Sequence, residues 1–261
     1  MFQPDLQHIA KDGFRLRGTT MSRVDGFSDV VFGFALTLLV VSLEVPKTYA
    51  ELHETLRGFV PFAVSFIFLV MVWFAHFRLF RRLGLDDYGT ILINAALLFV
   101  VLFFVYPLKF LANMTFGGHS NGAVFTKASQ LPELMAFYGI GFAAVYYLLA
   151  ALYWIGWRHR DQLEFNSLER ILMKLWITDN IGVASVGVLS VGVAYLLPPE
   201  HAGLSGFTYF LIGPFKTVNG MFFGKRARLE RERMAQLNAP LNDLPAPTPG
   251  ITAKLQSDGS K

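Results

Sequence analysis

The sequence of 261 residues contains no cysteine. This absence excludes a disulfide framework, thiolate chemistry and any metal site with cysteine ligands. We expect no cleavable signal either, because the first twenty residues are polar and basic and the first apolar run is too long and lacks a small-residue cleavage site. We expect that run to stay in the protein as a membrane span.

Charged residues are scarce as well. They make up 16% of the chain, against about 25% in a typical soluble domain, whereas hydrophobic residues make up 53%. The apolar residues lie in blocks, and a helix needs about 20 of them to cross a bilayer. The composition therefore predicts an all-α fold, a polytopic membrane protein with about six transmembrane helices.

The six predicted spans are separated by short polar segments. Pro46 ends the first span, Pro198-Pro199 end the fifth, and Pro214, Lys216 and Asn219 interrupt the sixth. The predicted spans cover residues 27–45, 59–80, 90–111, 131–157, 172–197 and 204–223. The fifth is rich in glycine, alanine and serine, which lets neighbouring helices approach closely.

Lysine and arginine concentrate in alternate loops. They lie before the first span, between the second and third, between the fourth and fifth, and after the sixth. Because basic loops stay in the cytoplasm, both termini are predicted to be cytoplasmic, in a multi-pass protein of the cell (inner) membrane. The net charge of +4 is thus a topology signal, and no nucleic-acid partner is predicted.

Three regions follow from this topology. Residues 1–22 form a cytoplasmic N-terminal segment, and residues 23–225 form the transmembrane domain. Residues 226–261 form a basic helical extension and a tail that is expected to be disordered from Asn238 onward. The external loop at 113–130 is expected to be mobile.

Four polar side chains fall at one depth near the cytoplasmic ends of the first three spans. They are Asp29, Trp73, His76 and Asn94. Polar groups inside a span are costly and need a reason. Each can cap or snorkel at its own helix end, or all can form a clamp between helices that orients the first span. A proton relay through His76 is a third interpretation.

Above Asp29 the first span presents a single apolar stripe. Val31, Phe34, Leu38, Val41 and Val45 recur at steps of three and four residues. Such a stripe packs on a neighbouring helix or lines a pore, and the sequence pattern alone leaves both interpretations open.

Residues 23–29 read Arg-Val-Asp-Gly-Phe-Ser-Asp and resemble the Arg-x-x-x-Phe-Ser-Asp signature of the transmembrane protein 175 family of potassium channels. The resemblance extends over roughly residues 23–225. It is carried further by Phe32, Thr37, Leu38, Leu39, Glu44 and Pro46 in the first span, by Trp73, His76 and Arg78 in the second, and by Asn94 in the third.

The resemblance implies a potassium-permeable cation channel, a homotetramer in which the first helices surround a pore without a carbonyl-lined filter. It places Phe34 at the narrowest point, with Leu38 and Val41 further out. It also implies a structural polar network of Arg23, Ser28, Asp29, Trp73 and His76, to which Asn94 is added by its depth. The implied partners are a second copy of the chain, potassium and other monovalent cations, and the lipid bilayer. No cofactor is implied.

The chain departs from the family pattern at three positions in the first span. Val30 replaces a glycine, Gly33 replaces a common alanine, and Phe34 replaces an isoleucine. A ring of four phenylalanines can close a pore by excluding water, or its ring faces can favour a partly dehydrated cation.

Other function classes remain as alternatives. A membrane enzyme would need converging catalytic groups, and His76 and Asp29 have no nucleophile, metal-ligand cluster or phosphate loop beside them in the sequence. A secondary transporter would use broken helices at mid-membrane, for which Pro214, Lys216 and Asn219 qualify, although Lys216 lies near enough to the cytoplasmic end to snorkel. A regulatory membrane protein with a sealed pore is the last alternative.

Overall fold

The computed structural model describes residues 9–41, 47–116, 127 and 129–237. Several predictions fall outside these residues: the roles of Glu44, Val45 and Pro46, most of the external loop, and the tail from Asn238 onward. Within the described residues the regular structure is helical. Its elements are α1 (Arg23–Val41), α2 (Tyr49–Arg57), α3 (Phe59–Leu83), α4 (Tyr88–Phe116), α5 (Gln130–Arg158), α6 (Ser167–Leu196), a 3-10 helix (Pro199–Leu211) and α7 (Ile212–Leu237).

Five helices of the described part are long and apolar enough to cross a membrane, namely α1, α3, α4, α5 and α6. They coincide with the first five predicted spans. The sixth predicted span, 204–223, is not one continuous helix, because it contains the end of the 3-10 helix and the beginning of α7. Pro214 lies in the first turn of α7, where a missing backbone N–H does no harm. The count of six spans stays a prediction.

The ends of two spans differ from prediction because local capping fixes them. Helix α6 begins at Ser167, where the Asn166 side chain accepts the Glu169 backbone N–H at 2.8 Å and the Glu169 carboxylate accepts the Asn166 N–H at 3.0 Å. Helix α3 continues past its arginines to Gly84, which adopts φ 59° and donates its N–H to the Phe80 carbonyl. The short helix α2 was not predicted.

Most of the helices pack against helices that are near them in the chain. Helix α1 lies against α3 and α4, while α5 packs against α4 and α6, and α7 packs against α6. The α5–α6 contact is close at Gly139 and Gly187, since a Cβ at either residue would lie 2.9 Å from the carbonyl oxygen of the other. Small residues thus bring these two helices together, as in other membrane bundles.

The N-terminal segment, residues 9–22, packs across one end of the bundle. We call this the basic end; α1 and α6 begin there, and α3 and α5 end there. The Phe14 side chain is fully buried, and Arg82 binds the Asp12 carboxylate at 2.5 Å. Arg231 of α7 donates to the Asp12 carbonyl at 2.6 Å, so α3 and α7 both bind this segment.

Glu169 is the buried charge that holds the segment in place. Its side chain is fully buried, and its carboxylate pairs with Arg15 at 2.8 Å and with Arg17 at 3.0 Å. Its hydrogen bond raises the pKa of the Arg15 guanidinium, against an opposing effect of burial. The Arg17 guanidinium also lies over the Phe165 ring at 4.8 Å. A carboxylate with this many donors stays charged in a buried site.

We predict that Glu169→Gln lowers the midpoint of thermal unfolding in detergent. The substitution removes the shared negative charge and leaves two arginines without it, and breaking a buried ion pair costs about 3–5 kcal/mol. The matched control is Asp161→Asn, because Asp161 is exposed and pairs with Arg160 and Arg170 at the surface, where such pairs contribute about 0–1 kcal/mol. Equal effects of the two variants would contradict this account.

Candidate functional site: helix α1 and its polar support

Helix α1 has one buried face and one exposed face. Ser28, Phe32, Ala35 and Leu39 are buried at steps of four, three and four residues, and their neighbours in the core come from α3 and α4. On the opposite side, Val30, Phe34 and Val41 are 71%, 57% and 77% exposed. An exposed apolar face this long on a span must meet lipid, a further copy of the chain or a pore.

The residues of the predicted stripe do not all lie on the exposed face. Phe34 and Val41 do, whereas Leu38 and Val31 are half-buried and pack against the core. Near the beginning of α1, the exposed stripe contains Val30 in place of the predicted Val31. Steps of three and four residues allow two neighbouring stripes on a helix of 3.6 residues per turn, and only the contacts with α3 and α4 choose between them.

Thr37 is a polar residue on the exposed face that the predicted stripe omitted. It lies between Phe34 and Val41 in sequence, and its hydroxyl donates to the Phe34 carbonyl at 2.7 Å. A threonine whose hydroxyl bonds within its own helix is tolerated at an apolar surface. It places a hydroxyl oxygen on the exposed face of α1, next to the Phe34 backbone carbonyl.

The beginning of α1 is fixed by a capping box. Ser22 accepts the Asp25 backbone N–H at 3.1 Å, and the Asp25 carboxylate accepts the Ser22 N–H at 3.2 Å. Asp25 was not among the predicted site residues, although the Ser-x-x-Asp spacing before an apolar run is a recognisable signal in the sequence.

The predicted polar layer is a set of hydrogen bonds that joins α1, α3 and α4. The Trp73 indole N–H donates to the Asp29 carboxylate at 2.8 Å. His76 Nε2 lies 2.8 Å from Asn94 Oδ1, and the Asn94 amide donates to the Ser28 hydroxyl at 2.9 Å. The Ser28 hydroxyl in turn donates a hydrogen bond to the Val24 carbonyl of α1, 2.7 Å away.

Arg23 stands apart from these bonds. It is the first residue of α1, its side chain is exposed, and it forms no hydrogen bond or ion pair with the described residues. The resemblance grouped Arg23 with Ser28 and Asp29, but the structure brings together only the other five residues of that predicted network.

The hydrogen bonds determine which nitrogen of His76 carries a proton. Asn94 uses its amide N–H₂ on Ser28, so its oxygen is the acceptor and His76 Nε2 is the donor. The imidazole is 1% exposed and lies between the Phe32 and Phe80 rings, with centroids 5.5 and 4.4 Å away. Its Nδ1 has no partner among the described residues.

His76 also lines a cavity of about 280 Å³ at the basic end. Asp25, Asp29, Thr19 and Thr20 contribute oxygen atoms to the same cavity, and one buried Asp25 oxygen has no partner among the described residues. Both carboxylates lie in the first turns of α1, where the helix dipole favours negative charge. The arrangement is therefore a hydrogen-bond-accepting pocket beside the base of α1.

The polar residues of α6 and α7 are paired with each other. Lys216 binds Asp179 at 3.0 Å, and Thr178 donates to Asn219 at 3.2 Å. A Cβ at Gly182 would overlap the Phe215 ring, so these helices touch beside the ion pair. Lys216 was expected only to snorkel; a nearby carboxylate lowers the cost of its charge at this depth. The polar groups that suggested a transporter are thus engaged in helix packing.

Comparison with known proteins shows the family to which this chain belongs. The sequence profile of the family described as "Endosomal/lysosomal potassium channel TMEM175" matches residues 23–104. A relative from Marivirga tractuosa named "Potassium channel" is 36% identical over an alignment of 229 positions that covers 82% of this chain and 92% of the relative. The chain belongs to this family.

Further similarities agree with this family membership. A relative from Chamaesiphon minutus, also named a potassium channel, is 31% identical over an alignment of 98 positions that covers 34% of this chain and 48% of the relative. The crystal structure of a variant of the potassium channel MtTMEM175, in complex with a nanobody–MBP fusion protein, has a TM-score of 0.73 at 34% identity and covers 83% of this chain and 99% of that one. The TMEM175 relatives are named as channels, which are not enzymes.

We predict that Asn94→Ala destabilises the bundle. It leaves the buried His76 Nε2–H without an acceptor, and such an unsatisfied group costs about 1–3 kcal/mol. The midpoint of thermal unfolding, followed by tryptophan fluorescence in detergent, should fall.

Asn180→Ala is the matched control. Among the residues that the structure describes, the Asn180 amide donates only within its own helix, to the Trp176 carbonyl at 2.7 Å, so its loss should change the midpoint little. If Asn94→Ala unfolded no earlier than this control, the bonds between helices would not stabilise the position of α1.

Proposed function

We propose that the chain forms a homotetrameric, potassium-permeable cation channel in which four copies of α1 surround a central pore. The observation that carries the proposal is the one-sided burial of α1. Its buried face meets α3 and α4, and its exposed face carries Phe34 and Val41. Family membership supports this use of the exposed face.

The rotation of α1 supports the same assignment. Ser28 and Asp29 bond to Asn94 and Trp73 on neighbouring helices, which directs Phe34 away from the core of its own subunit. Because these bonds fix the rotation of α1, its exposed face carries the same residues in every copy of the chain. Four equivalent faces around an axis are what a pore built from a single kind of subunit requires.

Phe34 forms the narrowest point in this proposal. Its ring is more than half exposed, and four such rings make an apolar constriction that closes by excluding water. When the constriction is wet, ring faces turned toward the axis attract a partly dehydrated cation. Val41 lies further along the exposed face, the half-buried Leu38 contributes to the wall, and the Thr37 hydroxyl gives the pore a polar oxygen.

The distribution of basic residues supports a cytoplasmic location for the basic end. Arg81, Arg82, Arg158 and Arg170 lie there, and α7 adds Lys225 and the arginines that follow it. Because cytoplasmic segments are enriched in lysine and arginine, both termini would be cytoplasmic in a cell (inner) membrane. Potassium would then pass Phe34 between the basic end and the outside.

We predict that the purified chain in liposomes passes potassium down its gradient without valinomycin. A wetted constriction needs no other transported partner, so the flux should not depend on a second ion gradient. Efflux is followed with a potassium-sensitive dye, with protein-free liposomes as the control. A complete absence of flux over a range of pH and voltage would overturn the channel proposal.

Phe34→Ala should raise the single-channel conductance or reduce the preference for potassium over sodium, because it removes the rings that narrow and dry the pore. Planar-bilayer recordings measure both quantities. Phe99→Ala is the matched control, since Phe99 is 70% exposed but lies on α4. Unchanged currents in Phe34→Ala would remove this residue from the pore.

A further inference from the structure

An apolar cavity of about 550 Å³ lies between α3, α4, α5, α6 and the 3-10 helix. It is separate from the α1 network and from the pocket beside His76. Its volume is within the range of about 300–1,000 Å³ that is usual for small-molecule sites. Its walls include Phe104, Met135, Tyr138, Phe142 and Phe207.

The lining offers a ligand no charge among the described residues, and its hydroxyl groups belong to Tyr138, Ser190 and Tyr209. Tyr209 lies beside Ser190. The Tyr138 hydroxyl donates to the Pro107 carbonyl at 2.5 Å. The Ser190 hydroxyl donates to the Ser205 carbonyl at 3.1 Å. A polar ligand would lose its water here without gaining hydrogen bonds, so the cavity suits an apolar occupant.

The cavity is long rather than compact. On α4 its lining runs from Val101 to Met114, which is about 20 Å at 1.5 Å per residue. It therefore extends from the middle of the span toward the end opposite the basic end. Half of the hydrocarbon core of a bilayer is about 15 Å thick, so the cavity is long enough to span one leaflet.

The mouth of the cavity is continuous with the surface that meets lipid. Phe207 and Phe210 line the cavity and are 64% and 76% exposed. Gly203 and Gly206 lie beside them, and a Cβ at either would meet no heavy atom within 4 Å. The 3-10 helix packs against α5 and α6 and overlaps the predicted sixth span, so we place this opening at membrane depth, where the surrounding medium is made of acyl chains.

We propose that this cavity binds an acyl chain of a membrane phospholipid from the leaflet opposite the basic end. The chain enters beside Gly206 and lies along α4 between Phe104 and Tyr138. Leu69 and Val72 of the cavity wall belong to the same buried cluster as Phe32 and Leu39 of α1. The bound chain therefore packs against residues of α3 that share a buried cluster with α1.

The test uses the full-length chain in nanodiscs that contain a phosphatidylcholine with a diazirine at the end of one acyl chain. After irradiation and digestion, mass spectrometry should find adducts on the peptides that contain Met135 and Tyr138. Gly206→Phe blocks the mouth and should lose these adducts. In Gly192→Phe they should persist, because Gly192 is equally open but lies on α6 outside the cavity.

Two results would overturn the proposal. One is labelling of these peptides that is equal in Gly206→Phe and in the unchanged chain, since the adducts would then arise outside the cavity. The other is an absence of adducts there, including the case in which a neighbouring subunit fills the space and cross-links to Met135. If Gly206→Phe fails to assemble, Gly203→Leu replaces it with the same expected loss.

A second measurement reports on occupancy without labelling. Removal of phospholipid by extended detergent washing should lower the thermal midpoint of the unchanged chain more than that of Gly206→Phe, whose ring takes the place of the lipid. Equal losses would count against the proposal. Neither readout depends on ion conduction. The acyl-chain proposal can therefore fail while the channel proposal stands, and the channel proposal can fail while the acyl-chain proposal stands.

Discussion

The hydrogen bonds on the buried side of α1 fix its rotation about its own axis. Asn94 connects Ser28 of α1 with His76 of α3, and Trp73 binds Asp29 one residue further along α1. In an apolar medium these groups find few other partners, so a rotated α1 would leave several of them unsatisfied. The exposed face with Phe34 follows from what the opposite face must bind.

A second constraint fixes the base of the same helix. The buried Glu169 holds Arg15 and Arg17, and the segment that carries these arginines leads directly into the capping box at Ser22. Asp12 extends the connection to Arg82 of α3 and to Arg231 of α7. The first helix is thus attached to the end of the bundle through charges and to its side through neutral hydrogen bonds. Its two supports have different chemistry.

The half of the bundle away from the basic end is held together by different contacts. There α5 and α6 approach at Gly139 and Gly187, and the space left between α3, α4 and the 3-10 helix is lined by aromatic and aliphatic side chains. Apolar composition could not distinguish among residues that face lipid, a neighbouring helix or a cavity, because all three surroundings favour the same side chains. Phe34, Phe104 and Phe142 look alike in the sequence, and only packing separates them.

The sequence by itself determined the membrane class, five of the spans, the basic loops and the shared depth of Asp29, Trp73, His76 and Asn94, since these depend on local composition and on the rise of a helix. Only the tertiary structure decided which face of α1 is free, that Leu38 is half-buried while Thr37 is exposed, and that Arg23 makes none of the expected bonds. It also decided the change from 3-10 helix to α-helix after Leu211 and the pairing of Lys216 with Asp179. These features arise from contacts between residues far apart in the chain. The sequence pattern along one helix carries no information about which side chains the neighbouring helices place against it.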